Sequence, residues 1–421
     1  MSDSHLAEAA EPENLAALMR QRGFMLFWLS RFLTVLAAQA QGVTIAWQVY
    51  DLAHRGGAGM NQSAFLLGMI GLAQFLPLFA LSLFAGDAAD RYDRRLIVMA
   101  CISVEVVCVG ALAAMALTGH AAFWPIFGLA VVFGAARAFF NPASTALAPS
   151  LVPIKMLPRS IAWNSLSWQG ASIAGPAVGG LLCAWSPGVS YAVTGVLYVI
   201  AILCMITVRP KRQQVLQTAS RIMLMKEGLS YIWRQKIVFG SISLDLVAVL
   251  LGGATALLPV FAGDVLKVGA QGFGILRASP AIGATVVAAY LAMHPIRRKA
   301  GLSMFAGVAL FGAATLVFAL SRSMILSVAA LAALGAGDMV SVFVRQSLVQ
   351  IVTPDHMRGR VAAVSTLFIG SSNELGEFES GVAARFLGPV GAAVFGGVGA
   401  LIATATWAKL FPDLRKADNL T

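Results

Sequence analysis

The sequence predicts an all-α membrane protein of twelve transmembrane helices, arranged as two pseudo-symmetric six-helix bundles. Three observations predict this class. Hydrophobic residues make up 58% of the 421 residues and charged residues only 12%, about half the charged share of a soluble domain. Mean hydropathy is +0.80 over the entire length. The apolar residues fall into stretches long enough to cross a hydrocarbon layer of roughly 30 Å, which takes about 20 residues of helix, and the second half of the chain echoes the first. A soluble surface of this size needs charge to stay dispersed, so secreted, disordered and nucleic-acid-binding classes are excluded.

Residues 1–23 are polar and begin acidic, with Asp3, Glu8, Glu11 and Glu13. No basic segment is followed there by a short apolar run and a small-residue cleavage site, so a tail is expected and not a secretory signal. Spans 1 to 6 are placed near 24–50, 63–86, 96–118, 122–148, 162–186 and 188–208, and spans 7 to 12 near 237–262, 270–293, 301–321, 324–352, 361–387 and 390–411. The bundles are then residues 24–208 and 237–411, with a short tail at 412–421. The connection at 209–236 mixes Ile222, Leu224, Leu229, Ile232 and Trp233 with basic residues, as in an amphipathic helix on a membrane surface. A linker without a ligand of its own accounts for it as simply.

The net charge of +11, from 30 Lys and Arg against 19 Asp and Glu, is distributed unevenly. On the side shared by both termini lie 22 of the positive residues; Arg55, Lys267 and Arg322 lie opposite, and five fall within spans. Cytoplasmic loops collect Lys and Arg, so both termini are expected to be cytoplasmic, in a cell membrane and most simply a bacterial inner membrane.

An offset of 201 residues superposes spans 4 and 5 on spans 10 and 11. Gly134 falls on Gly335, Pro153 on Pro354, Met156 on Met357, Arg159 on Arg360, Gly175 on Gly376 and Gly180 on Gly381. Parallel repeats of this kind are a plan of secondary transporters, with the binding site between the halves near mid-membrane. The repeat also shows where the halves differ. Span 5 carries Gly175-Pro176-Ala177-Val178-Gly179-Gly180, a small-residue surface that lets helices approach and bend, whereas span 11 carries Gly376-Glu377-Phe378-Glu379-Ser380-Gly381.

Two stretches resemble motifs of a known family. Gly86 through Arg95, with Asp90, Arg91, Arg94 and Arg95 between spans 2 and 3, resembles the G-x-x-x-D-R-x-G-R-R/K loop of the major facilitator superfamily, with Asp93 at the usual glycine. Gly175, Pro176, Gly179 and Gly180 resemble the span-5 motif of proton-driven antiporters in that superfamily, with Ala171 at the upstream glycine. The likeness covers nearly the entire chain and is strongest to the branch of the enterobactin exporter and drug:proton antiporters. It implies alternating access, proton-coupled efflux of a small siderophore or drug-like molecule, and no cofactor. Independently, Asp90 and Arg91 at a helix end are placed to latch one packing of the bundle and release it in the other; an interfacial anchor is the simpler alternative.

Ionisable groups at bilayer depth cost about 2.5–3.5 kcal/mol each on the insertion scale and are functional candidates by default. Five bases (Arg31, Arg137, Arg277, Arg345, Arg385) face six acids (Glu105, Asp245, Asp338, Glu374, Glu377, Glu379). Five bases cannot neutralise six acids, so one carboxyl is left to titrate or to meet a cation. Equal depth predicts the pairs Glu105–Arg137 and Asp245–Arg345. Glu374 and Glu377 are three apart and share a helix face, while Glu379 points elsewhere. Glu377 and Glu374, then Asp338, are the proton-coupling candidates; a buried hydrogen-bonding role stays open for each. Arg31, Gln39 and Gln41, with Gln48 beyond them, are candidates to line a cavity for an anionic or polar substrate, against an equally simple role as packing glue between helices. Trp163, Trp168, Phe139 and Phe140 offer aromatic surfaces to an amphipathic one, or serve as an interfacial belt.

All five histidines fall in loops or the tail, which removes Ser–His catalysis and histidine-held metal or haem at depth, and no Gly-Lys dipeptide exists to form a nucleotide-binding loop. The four cysteines lie in apolar runs without paired spacing. The expectation is a non-enzymatic, monomeric secondary transporter whose partners are a small molecule, protons and the lipid bilayer. Import of a sugar or organic acid, and a membrane sensor that transports nothing, remain alternatives.

Overall fold

A computed structural model describes residues 18–209, 221–296 and 298–418, and every regular element among them is helical. The acidic start of the N-terminal tail, Lys211, Arg212 and Arg297 lie outside the described residues. Spans 1 to 6 are Arg22–Arg55, Met60–Arg91, Arg94–Leu117, Phe123–Leu147, Leu157–Trp185 and Pro187–Ile206. A linker helix, Arg221–Arg234, precedes span 7, which begins as Lys236–Leu251 and reaches Val265 through short 3-10, α and π turns. Spans 8, 9 and 10 are Gly269–Met293, Ala300–Leu320 and Met324–Val352.

The last helix, Asp355–Leu410, has 56 residues. At 1.5 Å per residue it is about 84 Å long, more than twice what one crossing needs. It is divided at Gly388, whose φ of 75° and ψ of 163° only glycine adopts readily, followed by Pro389. Spans 11 and 12 are therefore residues 355–387 and 389–410. Ten described helices are long and apolar enough to cross a membrane when this one is counted once. Splitting it, and adding span 5 with its 29 residues and its polar Asn164, Ser167 and Gln169, agrees with twelve crossings. We expect Gly388→Ala to lower stability by about 1–3 kcal/mol, the cost of that backbone region for a residue with a Cβ. Thermal unfolding in detergent checks it, with Gly370→Ala, where a Cβ meets nothing within 4 Å, as the unaffected control.

Short connections are fixed by local chemistry. The Asp93 carboxylate accepts the Arg95 backbone N–H at 2.9 Å and caps span 3. Ser186 caps span 6 in the same way, with Pro187 in its first turn. One correction to the sequence reading follows: Gly86, Asp90 and Arg91 stand on the last turns of span 2, which runs through Arg91, and only residues 92–93 form the loop. The Asp87–Arg91 ion pair at 3.0 Å, one helical turn apart, supports that extension.

The halves meet along two seams that the sequence repeat relates. A Cβ on Gly180 of span 5 would lie 2.7 Å from Gly274 Cα of span 8, and one on Gly381 of span 11 would lie 2.6 Å from Gly68 Cα of span 2. Gly180 and Gly381 are the pair superposed by the offset of 201. Only glycines let backbones come this close. Both crossings lie in the half of the bundle remote from the termini. There, too, Asn61 Nδ2 donates to the Arg385 carbonyl at 3.3 Å, and the Arg385 guanidinium stacks 4.7 Å from the Phe65 ring centroid. The two halves are thus closed against each other on the far side.

The linker helix is anchored to the C-terminal half. Glu227 forms an ion pair with Arg360, the Tyr231 hydroxyl donates to the Val352 carbonyl at 3.0 Å, and Ile232 is buried with Val238, Ile242 and Val361.

Candidate substrate and coupling site

Between the halves lies a cavity of about 250 Å³. Span 1 lines it with a helical face running through Thr34, Ala38, Gln41 and Ile45, and Gln39 joins them. Phe133, Phe140, Trp168 and Phe273 add aromatic walls, and Trp168 is 45% exposed. Trp163 instead holds the Trp28 indole, accepting its N–H at 2.8 Å through the backbone carbonyl.

The cavity is crossed by charge. Arg137 Nη1 of span 4 lies 3.1 Å from Glu374 Oε1 of span 11 and donates to Gln74 Oε1 of span 2 at 3.2 Å. This ion pair joins one half to the other. Three residues along span 11, Glu377 Oε1 lies 3.1 Å from Arg277 Nη2 of span 8. The second guanidinium nitrogen of Arg277 donates to the Thr255 carbonyl at 3.1 Å. That carbonyl is available because span 7 breaks at Gly252 and Gly253. The Gly-Gly pair disfavours continued helix and also admits span 11, since a Cβ on Gly253 would stand 2.1 Å from the Gly376 carbonyl oxygen. Irregular backbone at membrane depth is tolerated where it lines a cavity. All four charged side chains face the cavity, and Glu374 is the least exposed of them at 13%.

Of the two pairs expected from depth, Asp245 and Arg345 approach to 3.4 Å, both buried. The other expectation is corrected. Arg137 turns to Glu374 and Gln74, and Glu105 lies buried against the Tyr198 hydroxyl, within electrostatic reach of Arg137 but not paired with it. Depth along the membrane normal ranks groups by height and says nothing of azimuth, and spans 2 and 11 reach Arg137 from the side that Glu105 does not. Depth assigns Glu374 and Glu377 no basic partner. Each has an arginine, so among the described residues the membrane carboxyls left without an ion pair are Glu105, Asp338 and Glu379. Glu379 accepts from the neighbouring Ser380 hydroxyl at 3.4 Å and does not line the cavity.

Gln41 lines the cavity and accepts from the Tyr198 hydroxyl at 3.0 Å; Gln39 lines it and reaches Ser172 Oγ at 3.4 Å. Arg31 is not among the lining residues, which corrects its placement in the cavity wall. It shares the face of Thr34 and Val35 one turn nearer the termini, where it makes no ion pair or hydrogen bond among the described residues.

In the span 2–3 motif, Arg94 donates to the Ala146 carbonyl at 3.0 Å and Arg95 to the Met205 carbonyl at 3.1 Å and to that of Ile206. Both guanidinium groups thereby sit at helix C-termini, where the macrodipole favours cations. In the span-5 motif, Gly175 and Gly179 pack on Gln39 and Ala40 of span 1, while Pro176 and Gly180 face Gly274 of span 8.

Sequence reasoning missed Gln74, Tyr198 and Thr255, and counted Arg277 without giving it a partner. A signal existed for two of them. An offset of 203 places Gln74 and Pro77 on Arg277 and Pro280, so the glutamine and the arginine hold equivalent positions in the two halves.

The model of the transmembrane secretion effector family matches residues 14–420. The chain belongs to this family of the major facilitator superfamily. It is a multi-pass membrane transporter of the secondary active class. Among curated relatives, the enterobactin exporter EntS of Shigella boydii serotype 18 is 24% identical over 408 residues, covering 96% of this chain and 95% of that protein. Among solved structures, a bacterial homologue of the human lysosomal transporter Spinster, inward-facing and unoccupied, superposes with a TM-score of 0.70 at 14% identity, over 94% of this chain and 96% of that one. The D-xylose–proton symporter does so with a TM-score of 0.70 at 13% identity, over 93% and 98%. These two structures share the fold of this family member.

Proposed function

We propose that this transporter exports a small amphipathic molecule bearing oxygen-rich anionic groups, a siderophore or drug-like compound, in exchange for protons. It acts as a monomer in a bacterial inner membrane with both termini in the cytoplasm. The observation that carries the reading is the Arg137–Glu374 pair, which joins the halves across the cavity. With the far side closed, the cavity takes substrate from the cytoplasmic side. An anionic group entering it competes with Glu374 for Arg137. After the halves rock, substrate leaves, Glu374 takes up a proton from outside, and the carrier returns empty of substrate. Glu374 then gives up its proton inside and re-forms the pair. Glu377 acts in parallel through Arg277, which also senses the broken stretch of span 7 at Thr255. The arginines of the span 2–3 motif hold the cytoplasmic ends of spans 2, 4 and 6 as one unit, and the glycine seam of span 5 is the surface on which the halves part. Relationship to enterobactin exporters favours efflux and a siderophore substrate.

The test is flux in proteoliposomes under an imposed pH gradient, with iron-free catecholate siderophores and lipophilic cations as substrates. Efflux-directed movement of the siderophore that collapses when the gradient is dissipated supports the reading, and movement of the lipophilic cations alone would overturn its anionic substrate class. Uptake along the proton gradient would turn it into a symporter, and binding without flux would make it a sensor. Arg31→Gln separates anions from cations. It removes a cation one turn below the cavity, on the approach to it, and is expected to raise KM for anionic substrates about threefold through the loss of one attracting charge, while leaving cationic substrates unaffected.

A further inference from the structure

The ion pairs of the central cavity leave a second cluster unexplained, within the C-terminal half alone. Asp338 and Ser341 of span 10 face Asp245 of span 7 across a cavity of about 10 Å³, closed by Ala248 of span 7 and by Val308 and Phe311 of span 9. That is room for one water-sized occupant. Arg345 reaches Asp245 at 3.4 Å, and Asp338 lies within electrostatic reach of both. Span 9 brings no titratable group to the cavity. One guanidinium therefore serves two carboxylates, and with both ionised the cluster carries one uncompensated negative charge.

An independent observation points to a ligand. Ser341 is 1% exposed and its hydroxyl has no hydrogen-bond partner among the described residues, although it lines the cavity. Hydroxyls on membrane helices ordinarily bond the carbonyl one turn back, as Ser279 does to Ile275 at 2.7 Å and Thr315 to Phe311 at 2.8 Å. Ser341 forgoes that bond and leaves its oxygen to the cavity. The arrangement is not a relic of the repeat, because the offset of 201 puts Arg137, Phe140 and Ser144 at the positions of Asp338, Ser341 and Arg345.

We propose that this cavity is a cation site: one positive charge, delivered as a proton or as a sodium ion, sits between Asp338, Asp245 and Ser341 and neutralises the cluster. Both sources meet the same chemistry of two carboxylates and a hydroxyl, hard oxygen donors suited to a small ion. A proton resides on one carboxyl and bridges to a neighbouring oxygen, whereas sodium takes all three groups as ligands. The site belongs to one half, so its occupancy acts on the packing of spans 7 and 10 and adds a charge separate from that of Glu374.

The test uses the full chain in lipid nanodiscs without substrate. Infrared difference spectra between acidic and alkaline buffer report protonated carboxyls, and thermal unfolding in sodium chloride against choline chloride reports sodium. A carboxyl band lost in Asp338→Asn and shifted in Ser341→Ala, indifferent to sodium, assigns the proton. A sodium-dependent rise in unfolding temperature, with an apparent affinity weakened about tenfold in Ser341→Ala, the loss of one hydrogen-bonding ligand, assigns sodium. Ser341→Ala keeps both carboxylates and Arg345, so the test survives if Asp338→Asn does not fold. Spectra and unfolding that Ser341→Ala leaves unchanged, or a signal that vanishes in Glu374→Gln, would overturn the proposal. Gradient-driven flux at the native rate in Glu374→Gln, with this signal intact, would count against Glu374 coupling and leave the site standing.

Discussion

Glu374→Gln is expected to uncouple transport from the pH gradient and to lower gradient-driven flux by roughly 60- to 300-fold. The number follows from leaving Arg137 without a counter-ion at bilayer depth, at about 2.5–3.5 kcal/mol, with about 1.4 kcal/mol per factor of ten. Arg137 keeps its bond to Gln74, and a neutral glutamine carbonyl accepts from the guanidinium but supplies no charge. Removing one member of an ion pair at bilayer depth leaves the other charge uncompensated, which is worse than removing both. The double variant Arg137→Gln/Glu374→Gln is therefore expected to regain the thermal stability that Glu374→Gln loses, while transport stays insensitive to the gradient. Proteoliposome flux and thermal unfolding on the same preparations read both quantities. Gradient-driven flux at the native rate in Glu374→Gln would remove this carboxylate from the coupling mechanism.

The second large effect is expected at the seams. Gly180→Val and Gly68→Val each place side-chain carbons where the opposing Gly274 or Gly381 backbone already stands, within 2.8 Å of the first added atom. Relief requires the halves to part on the far side. Overpacking of this kind costs about 1–3 kcal/mol, which corresponds to a shift of roughly 5- to 150-fold in the balance between far-side-closed and far-side-open forms. Spin labels at Met60 and Phe386, both exposed next to the Asn61–Arg385 contact, report that opening as a longer distance population. The two variants are expected to act alike, since the repeat makes the seams equivalent. An unchanged distance distribution in both would show that the crossings do not hold the far side shut. Native cysteines are replaced for labelling; Cys101, Cys108 and Cys183 are buried and Cys204 is partly so.

Much of the fold was legible in one dimension. Span 10 runs over the residues expected of it, 324–352, and span 8 differs by one at its start, because apolar length and loop charge directly encode a membrane crossing. The repeat of Gly180 on Gly381 was legible too, and so was the small-residue packing surface of span 5, whereas the matching seam at Gly381 of span 11 was not. Span 7 was harder to read. Its apolar run continues through Gly252 and Gly253, so hydropathy carries the span across a Gly-Gly pair that is a local breaker signal, and the close passage of span 11 at Gly376 is visible only in three dimensions.

The candidate site divides along the same line. The sequence by itself determined which ionisable groups lie at depth, that acids outnumber bases there, and that span 11 carries the cluster. It determined these because burial of charge in hydrocarbon is costly wherever it occurs along a helix. Which acid meets which base was decided by the tertiary structure alone. Glycine crossings set the azimuth of each helix, and azimuth brought Arg137 to Glu374 and Arg277 to Glu377, left Glu105 against Tyr198, and set Asp338 beside Asp245 and Arg345 in a half of its own.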